Sequence, residues 1–172
     1  METIDQIIKE LKQQNYRHFD NFYHLTKKQV FFSIRAIIKD EQLSEDLLQD
    51  TYMRFLERID QYRDGANPYA YLVTIGRRLA IDTYHQRKKE VISEEIINHQ
   101  VYEEEVHEEN NDLFKLLDNL SKDEREVVVL HVINDLKFRE VADIMDRPLG
   151  TILWIYQKAM KKLKREVGEE SD

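Results

Sequence analysis

A basic and aromatic segment, "TIGRRLAIDTYHQRKK", runs from Thr74 to Lys89. It contains one acid, Asp82, and five cations: Arg77, Arg78, Arg87, Lys88 and Lys89. Three tyrosines, Tyr69, Tyr71 and Tyr84, lie in or near it. Cations neutralise phosphates, and aromatic rings stack on unpaired bases. The segment is therefore a candidate nucleic-acid site. A solvated basic helix with core tyrosines is the alternative, and spacing alone favours neither.

The second candidate lies near the C-terminus, where "GTILWIYQKAMKKLKREV" ends in a basic run. The preceding "KFREVADIM" predicts a short helix, which "DRPLG" interrupts. Thr151 is the expected cap of the basic helix that follows. A short helix, a tight turn and a longer basic helix form the outline of a helix-turn-helix, although many helical hairpins look alike.

A helical wheel sorts that basic helix into an inner and an outer face. One narrow stripe is apolar and reads as core: Ile152, Tyr156, Ala159 and Leu163. Trp154 falls on the opposite side, beside Lys158, Lys161 and Arg165. Its side chain either covers lysine and arginine stems or contacts a thymine methyl or a sugar.

The third candidate is "SEDLLQDTYMRFLE", from Ser44 to Glu57. By pattern alone it is an amphipathic core helix, with Leu48, Tyr52, Phe55 and Ile59 on one stripe. The functional alternative is a helix whose polar face docks on a partner protein.

Few features of the sequence support a catalytic site or a metal site. The chain has no cysteine, which excludes thiol catalysis and cysteine-based zinc sites. There is no glycine-rich phosphate loop. His99, Glu103 and His107 would share a helical face, but they lie in an acidic run without a rigid second shell. We expect no enzyme, no metal and no cofactor.

Helical elements must position these groups. Gly numbers 4 and Pro 2 in 172 residues, which favours an all-α fold over a sandwich or barrel. Ile4, Ile7, Ile8 and Leu11 follow helical spacing. The expected caps are Thr26, Ser44, Asn67 before Pro68, and Ser121 with Glu124 in a capping box.

Charge divides the chain into three parts. Residues 1–89 carry net +2, residues 90–111 carry net −8 with no Lys or Arg, and residues 112–172 carry net −2. We therefore expect two small helical domains, 1–89 and 112–172, joined by an acidic linker, 90–111. Neither a signal peptide nor a stretch of ~20 apolar residues is present, so we expect a cytoplasmic protein without membrane insertion.

In this order, the segments resemble the small alternative sigma factors of bacterial RNA polymerase, the extracytoplasmic-function group, over about residues 16–166. "SEDLLQDTYMRFLERIDQY" looks like the family's second conserved region, which docks on the polymerase clamp helices. "NPYAYLVTIGRRLAIDTYHQRKK" looks like its promoter-melting region. The stretch from "LSKDEREVVVL" to "KKLKRE" looks like its fourth region, the helix-turn-helix for the upstream promoter element.

The resemblance implies core RNA polymerase and promoter DNA as partners and, in many members, an anti-sigma factor that nothing in this chain identifies. It implies three sets of site residues. The residues implied to bind core polymerase are Glu45, Asp46, Gln49, Asp50 and Met53. Those implied to recognise and melt the downstream element are Tyr69, Tyr71, Arg77, Arg78, Asp82, Arg87 and Lys88. Those implied to recognise the upstream element are Arg147, Thr151, Leu153, Trp154, Lys158, Lys161, Lys162 and Arg165.

The chain departs from the family pattern at several of these positions. The family often has Trp where Tyr71 stands and Asn where Arg78 stands. It commonly has polar and basic residues where this chain has Leu153, Trp154 and Ile155. The acidic linker is expected to run through a basic channel of the polymerase or to limit DNA binding by the free factor.

Two further functions remain open at this level. One is a helix-turn-helix regulator that acts on duplex DNA without polymerase, which predicts a dimer and a palindromic site. The other is a helical adaptor that binds only proteins.

Overall fold

The computed structural model describes residues 2–94 and 111–169. Within these ranges the regular structure is helical throughout. The chain divides into two compact units, Met1–Arg87 and Lys88–Asp172. The expected all-α fold is therefore confirmed. No described helix combines the length and the apolar content that a membrane span needs.

The helices are named in chain order. Those of the N-terminal part are α1 (Ile4–Lys12), α2 (Phe19–Arg35), α3 (Glu41–Glu57) and α4 (Pro68–Glu94), with a 3₁₀ turn at Ile59–Gln61. Those of the C-terminal part are α5 (Asn111–Asp118), α6 (Lys122–Val128), α7 (Phe138–Met145) and α8 (Leu149–Glu169), with a π-helical turn at Val129–Ile133. Helix α4 continues past residue 89, and residues 95–110 lie outside the described residues, so the linker assignment stays a prediction.

Two expected helix starts in the N-terminal unit are wrong. Helix α3 begins before Ser44, because Asp40 caps it by accepting a 2.8 Å hydrogen bond from the Leu43 amide. The Ser44 hydroxyl instead donates to the Asp40 carbonyl at 2.7 Å. Thr26 lies in the middle of α2, where its hydroxyl donates to the carbonyl of Phe22 four residues earlier. A threonine that satisfies a carbonyl inside its own helix has no need to cap one.

The start of α8 is also earlier than expected. The helix begins at Leu149, so Thr151 lies inside its first turn and is not the cap. The amide of Ile152 already donates to the Pro148 carbonyl at 3.1 Å. Proline suits this position just before the helix, because it lacks only an amide that would have no intrahelical acceptor there.

The caps at Asn67 and at Ser121 are confirmed. Asn67 Oδ1 accepts from the amides of Tyr69 and Ala70 at 3.0 and 3.3 Å. Ser121 and Glu124 form both bonds of the capping box. The helix that follows Ser121 changes type along its length, because its α-helical part ends at Val128 and gives way to the π-helical turn at Val129–Ile133.

An aromatic cluster forms the centre of the N-terminal unit. Phe22 stacks on Phe55 at 5.2 Å between ring centroids and meets Tyr52 edge-on at 6.1 Å. The hydroxyls of Tyr52 and Thr26 lie 2.5 Å apart. Burial raises the pKa of Tyr52. The predicted stripe of Leu48, Tyr52, Phe55 and Ile59 is buried as a whole, which gives α3 one inner face and leaves the other to solvent.

The C-terminal unit has the predicted helix-turn-helix. Helix α7 ends at Met145, and its C-cap, Asp146, adopts a left-handed conformation (φ 52°, ψ 50°); α8 starts three residues after Asp146. Of the predicted stripe, Ile152 and Ala159 are buried and Tyr156 and Leu163 are half-buried, while Ile155 beside the stripe is buried as well. This inner face fixes how α8 rotates about its axis, and the rotation decides which cations face solvent.

Candidate nucleic-acid interface

Helix α4 presents the first predicted set. Tyr69 and Tyr71 stand in its first turn, and both are partly buried. The Tyr71 ring meets Phe55 and Tyr62 edge-on, with centroids 6.1 and 5.3 Å apart. Part of the Tyr71 ring therefore packs against buried aromatic side chains, and the rest lies at the surface.

The cations of α4 differ in their surroundings. Arg78 and Lys88 are exposed, as is Asp82, whereas Arg77 is partly buried. The Arg87 guanidinium lies 3.1 Å from Asp40 Oδ2. Asp40 is also the N-cap of α3, so this contact joins the end of the basic segment of α4 to the start of α3. The sequence did not single out Asp40 as a partner of Arg87, because 47 positions separate them.

The predicted polymerase-binding residues share the outer face of α3. Glu45, Asp46, Gln49, Asp50 and Met53 are all exposed. Met53 keeps 60 % of its surface accessible, an unusual exposure for a large apolar side chain. An exposed methionine ringed by acids is typical of a surface that meets a partner with a basic rim.

Helix α8 presents the third set. Trp154 is 61 % exposed, and Leu149 and Leu153 are exposed beside it in the same turn and a half of helix. The Lys158 ammonium lies 5.1 Å from the centroid of the Trp154 ring, within the range of a cation–π contact. The tryptophan therefore sits on the basic face, as the wheel predicts, with one lysine beside its ring.

Lys162 and Arg147 are committed to carboxylates of the same unit. Lys162 Nζ lies 2.8 Å from Oε2 of Glu124, whose side chain is 3 % exposed, and Arg147 lies 2.8 Å from Asp123. Burial by itself would raise the pKa of Glu124, but hydrogen bonds from Lys162 and the Ser121 amide and the charges of Lys162 and Lys158 hold it below its ordinary value. Lys161 and Arg165 are exposed instead.

Family models match both units. Sigma-70 region 2 matches residues 22–90, and Sigma-70 region 4 matches residues 111–163. Together they cover most of the chain. The chain belongs to the sigma-70 family, in its extracytoplasmic-function (ECF) group.

The sequence of this sigma factor aligns with curated relatives along most of its length. The ECF RNA polymerase sigma factor SigM of Bacillus subtilis is 29% identical over 151 residues, which is 84% of this chain and 92% of that protein. The ECF sigma factor EcfG of Rhodopseudomonas palustris is 30% identical over 124 residues, covering 70% and 68%. As a sigma factor, the chain binds core RNA polymerase and directs promoter-specific transcription initiation. The regulator and adaptor alternatives are not favoured.

Solved structures agree with the sigma-factor fold. RpoE of Bartonella quintana, solved in complex with the anti-sigma factor NepR, superposes with a TM-score of 0.75 at 23% identity, over 87% of this chain and 96% of that one. CnrH, solved in complex with the cytosolic domain of CnrY, gives 0.71 at 19% identity, over 97% and 99%.

One group of potential metal ligands occurs among the described residues of this sigma factor. Oxygens of Glu2 and Glu10 lie 2.7 and 2.8 Å from Nδ1 of His18, and the three ligand atoms fall within 4.8 Å of one another. These are hydrogen-bond distances, and the group ties the start of α2 to α1. His99, Glu103 and His107, which the sequence did not favour as a metal site, lie outside the described residues.

Proposed function

We propose that this sigma factor assigns promoter recognition to three separate surfaces. The outer face of α3, centred on Asp50 and Met53, docks on core polymerase. The start of α4 and the loop before it, residues 62–67, take the downstream element as single strand. The exposed face of α8 reads the upstream element as duplex.

The observation that carries the upstream assignment is the sharp division of α8. Ile152, Ile155 and Ala159 are buried, whereas Trp154, Lys158 and Lys161 face solvent along one side. A helix anchored by one face can lie in a major groove without disturbing its own core. Lys161 and Arg165 then contact phosphates, and Trp154 and Leu153 reach base edges.

Two ion pairs, one to the buried Glu124 and one to the partly exposed Asp123, change the list of phosphate contacts. Lys162 and Arg147 already hold carboxylates of their own unit, so using them on DNA would leave Glu124 or Asp123 without its cation. We assign these two residues to positioning α8. Of the downstream set, Arg78 and Lys88 are the outermost cations of α4 and serve as its phosphate contacts. Arg87 holds Asp40 and aligns α4 with α3.

Cellular context follows from this role. A factor that acts on polymerase and chromosome works in the cytoplasm, and its own residues perform no catalysis and need no cofactor. An anti-sigma factor is a natural partner, because a sigma factor of similar fold has been solved with one bound. The same outer faces of α3 and α8 are those that such an inhibitor has to cover.

Run-off transcription with purified core polymerase tests the proposal. The template is a duplex selected by this holoenzyme from a random-sequence library. Transcripts should start at one position and require both the protein and core enzyme. A Lys161→Glu variant should lose them, whereas a duplex-binding regulator would bind a palindrome without polymerase, and a protein adaptor would be indifferent to Lys161→Glu.

A further inference from the structure

The loop before α4 is held by a residue of α1. Lys12, in the last turn of α1, donates hydrogen bonds to the Tyr62 carbonyl at 2.7 Å and to Asp64 Oδ1 at 2.8 Å. Its ammonium also lies 5.6 Å from the centroid of the Tyr62 ring. One side chain thus contacts the backbone, a side chain and a ring of the same short loop.

The loop is otherwise closed by few contacts of its own. The Tyr62 hydroxyl donates to the Ala66 carbonyl at 2.5 Å, and the Ala66 amide donates to the Arg63 carbonyl at 3.1 Å. Gly65 supplies the positive φ of 84° that the turn requires. Tyr62 is buried, which raises its pKa to about 12, whereas residues 63–67 are exposed. The loop is a tight turn over a buried tyrosine, and its outer edge is available to a ligand.

Lys12 also neutralises the one acid of this loop. Its hydrogen bond and its charge hold the pKa of the Asp64 carboxyl below the ordinary range. Without Lys12, an uncompensated carboxylate would stand in the loop that the proposed function assigns to single-stranded DNA. Two effects of one lysine, on loop shape and on local charge, therefore act in the same direction.

We propose that Lys12 is a positioning residue for single-strand capture: it preorganises residues 62–67 before promoter DNA arrives. The inference rests on the proposed role of this loop. A flexible loop loses conformational freedom on binding, and a loop already held in its bound shape avoids that cost. Lys12 precedes the segment that matches region 2, residues 22–90. Helix α1 therefore holds a loop of region 2 although α1 itself lies outside the matched segment.

Two substitutions at Lys12 separate its donor groups from its packing. Lys12→Met keeps the apolar stem and removes the ammonium, whereas Lys12→Arg restores a cation with several donors. Lys9→Met is the matched control, because Lys9 is an exposed lysine of α1 whose charge also acts on Asp64, but without the hydrogen bond that Lys12 makes. Asp64→Asn removes the carboxylate charge but leaves the bond from Lys12 to the Tyr62 carbonyl.

The first measurement is hydrogen exchange of peptides spanning residues 59–67 in the free protein. Lys12→Met should speed exchange there several-fold, with Lys12→Arg intermediate and Lys9→Met unchanged. Exchange in the C-terminal unit serves as the internal reference. Equal exchange in Lys12→Met and Lys9→Met would overturn the tether, whatever the protein does in transcription.

The second measurement is binding of the holoenzyme to a single-stranded oligonucleotide that carries the non-template strand of its selected promoter. Lys12→Met should bind about fivefold more weakly, the lower end of what loss of one stacked base produces. Lys12→Arg should recover most of the affinity, and Asp64→Asn should stay near the parent. Binding to the upstream duplex should be equal in all variants.

The outcomes are distinct. Faster exchange together with weaker single-strand binding supports the proposal. Faster exchange with unchanged single-strand binding leaves Lys12 as a structural contact only and overturns the positioning role. If the parent holoenzyme yields no promoter-specific transcript, the proposed function fails, and the exchange data still decide whether Lys12 holds the loop.

Discussion

Lys162 Nζ and Glu124 Oε2 lie 2.8 Å apart and join the middle of α8 to the first turn of α6. Glu124 also accepts the Ser121 amide in the capping box, so one buried carboxylate caps a helix and anchors a lysine. Its neighbour Lys161 points to solvent. Two adjacent lysines on one helix therefore have different tasks, and substitution of each should separate stability from DNA binding.

Lys162→Met should lower the free energy of unfolding of the C-terminal unit by about 1–3 kcal/mol, the range for removing a charged hydrogen-bond partner from a buried acceptor. Lys161→Met should change it by less than about 0.5 kcal/mol. Binding of upstream duplex should show the reverse: Lys161→Met weakens it and reduces its salt slope by about one. Urea unfolding and anisotropy titrations at several salt concentrations check both. A lower salt slope in both variants would contradict this division.

The stability of the C-terminal unit should depend on pH through Glu124. Its pKa is lower in the folded protein than its ordinary value of 4.5, so the folded state binds the proton more weakly than the unfolded state. The stabilisation is present above the ordinary value and is lost as pH falls through the folded pKa. Chemical unfolding from roughly pH 6 to pH 3 should bring the parent and Glu124→Gln together at the acid end. A constant gap over this range would argue against Glu124 as the source.

Trp154→Ala should weaken upstream-duplex binding and leave the melting temperature unchanged, because the ring is mostly exposed. If the ring meets a thymine methyl, a duplex with deoxyuridine at that position should bind the parent roughly threefold to fivefold more weakly, since one methyl is worth ~0.8 kcal/mol. Trp154→Ala should not distinguish the two duplexes. Val132→Ala is the matched control for loss of exposed apolar surface, because Val132 is exposed in the same unit but lies outside α8. Parental affinity in Trp154→Ala would mean that the ring only covers Lys158.

Substitutions on the outer face of α3 should impair binding to core polymerase. Met53→Ala and Asp50→Lys should each raise the Kd for core enzyme about tenfold, the loss typical of a central interface residue. Both side chains are exposed, so neither change should alter folding. Asp143→Lys, at an exposed acid of α7, controls for net charge. Affinities are read by competition against a labelled parent protein, and no loss for either α3 variant would place the docking surface elsewhere.

Gly76 should tolerate a β-branched side chain poorly. A Cβ there would lie 3.2 Å from Thr51 Oγ1 and 3.3 Å from Ile34 Cδ1, where α4 crosses α3 and α2. Gly76→Val should cost about 1–3 kcal/mol of unfolding free energy, the usual cost of overpacking. Gly150→Ala meets nothing within 4 Å in the first turn of α8 and should stabilise the unit by up to ~1 kcal/mol. Thermal unfolding checks the pair, and a stable Gly76→Val variant would show that the helices can separate there.

The sequence predicted much of this architecture because helices are local. The period of Leu48, Tyr52, Phe55 and Ile59 identified the buried face of α3, and the wheel of α8 placed Trp154 outside before any contact was known. Caps were less predictable. Ser44, Thr26 and Thr151 are all suitable residue types, yet Asp40, His18 and Pro148 stand before the helix starts. The hydroxyls of Ser44 and Thr26 bond to the carbonyl four residues earlier inside their own helices, so a hydroxyl by itself signals no boundary.

The amino-acid sequence by itself determined the helices, their inner faces, the helix-turn-helix and the order of segments that marks a sigma factor. These follow from periodicity and turn chemistry within a few residues of chain. Only the tertiary structure decided which cations are committed. Lys12 meets Tyr62 and Asp64, Arg87 meets Asp40, and Lys162 meets Glu124 across separations of 38 to 52 residues. Such pairs depend on how helices pack, and no local pattern records which acid a given lysine will face.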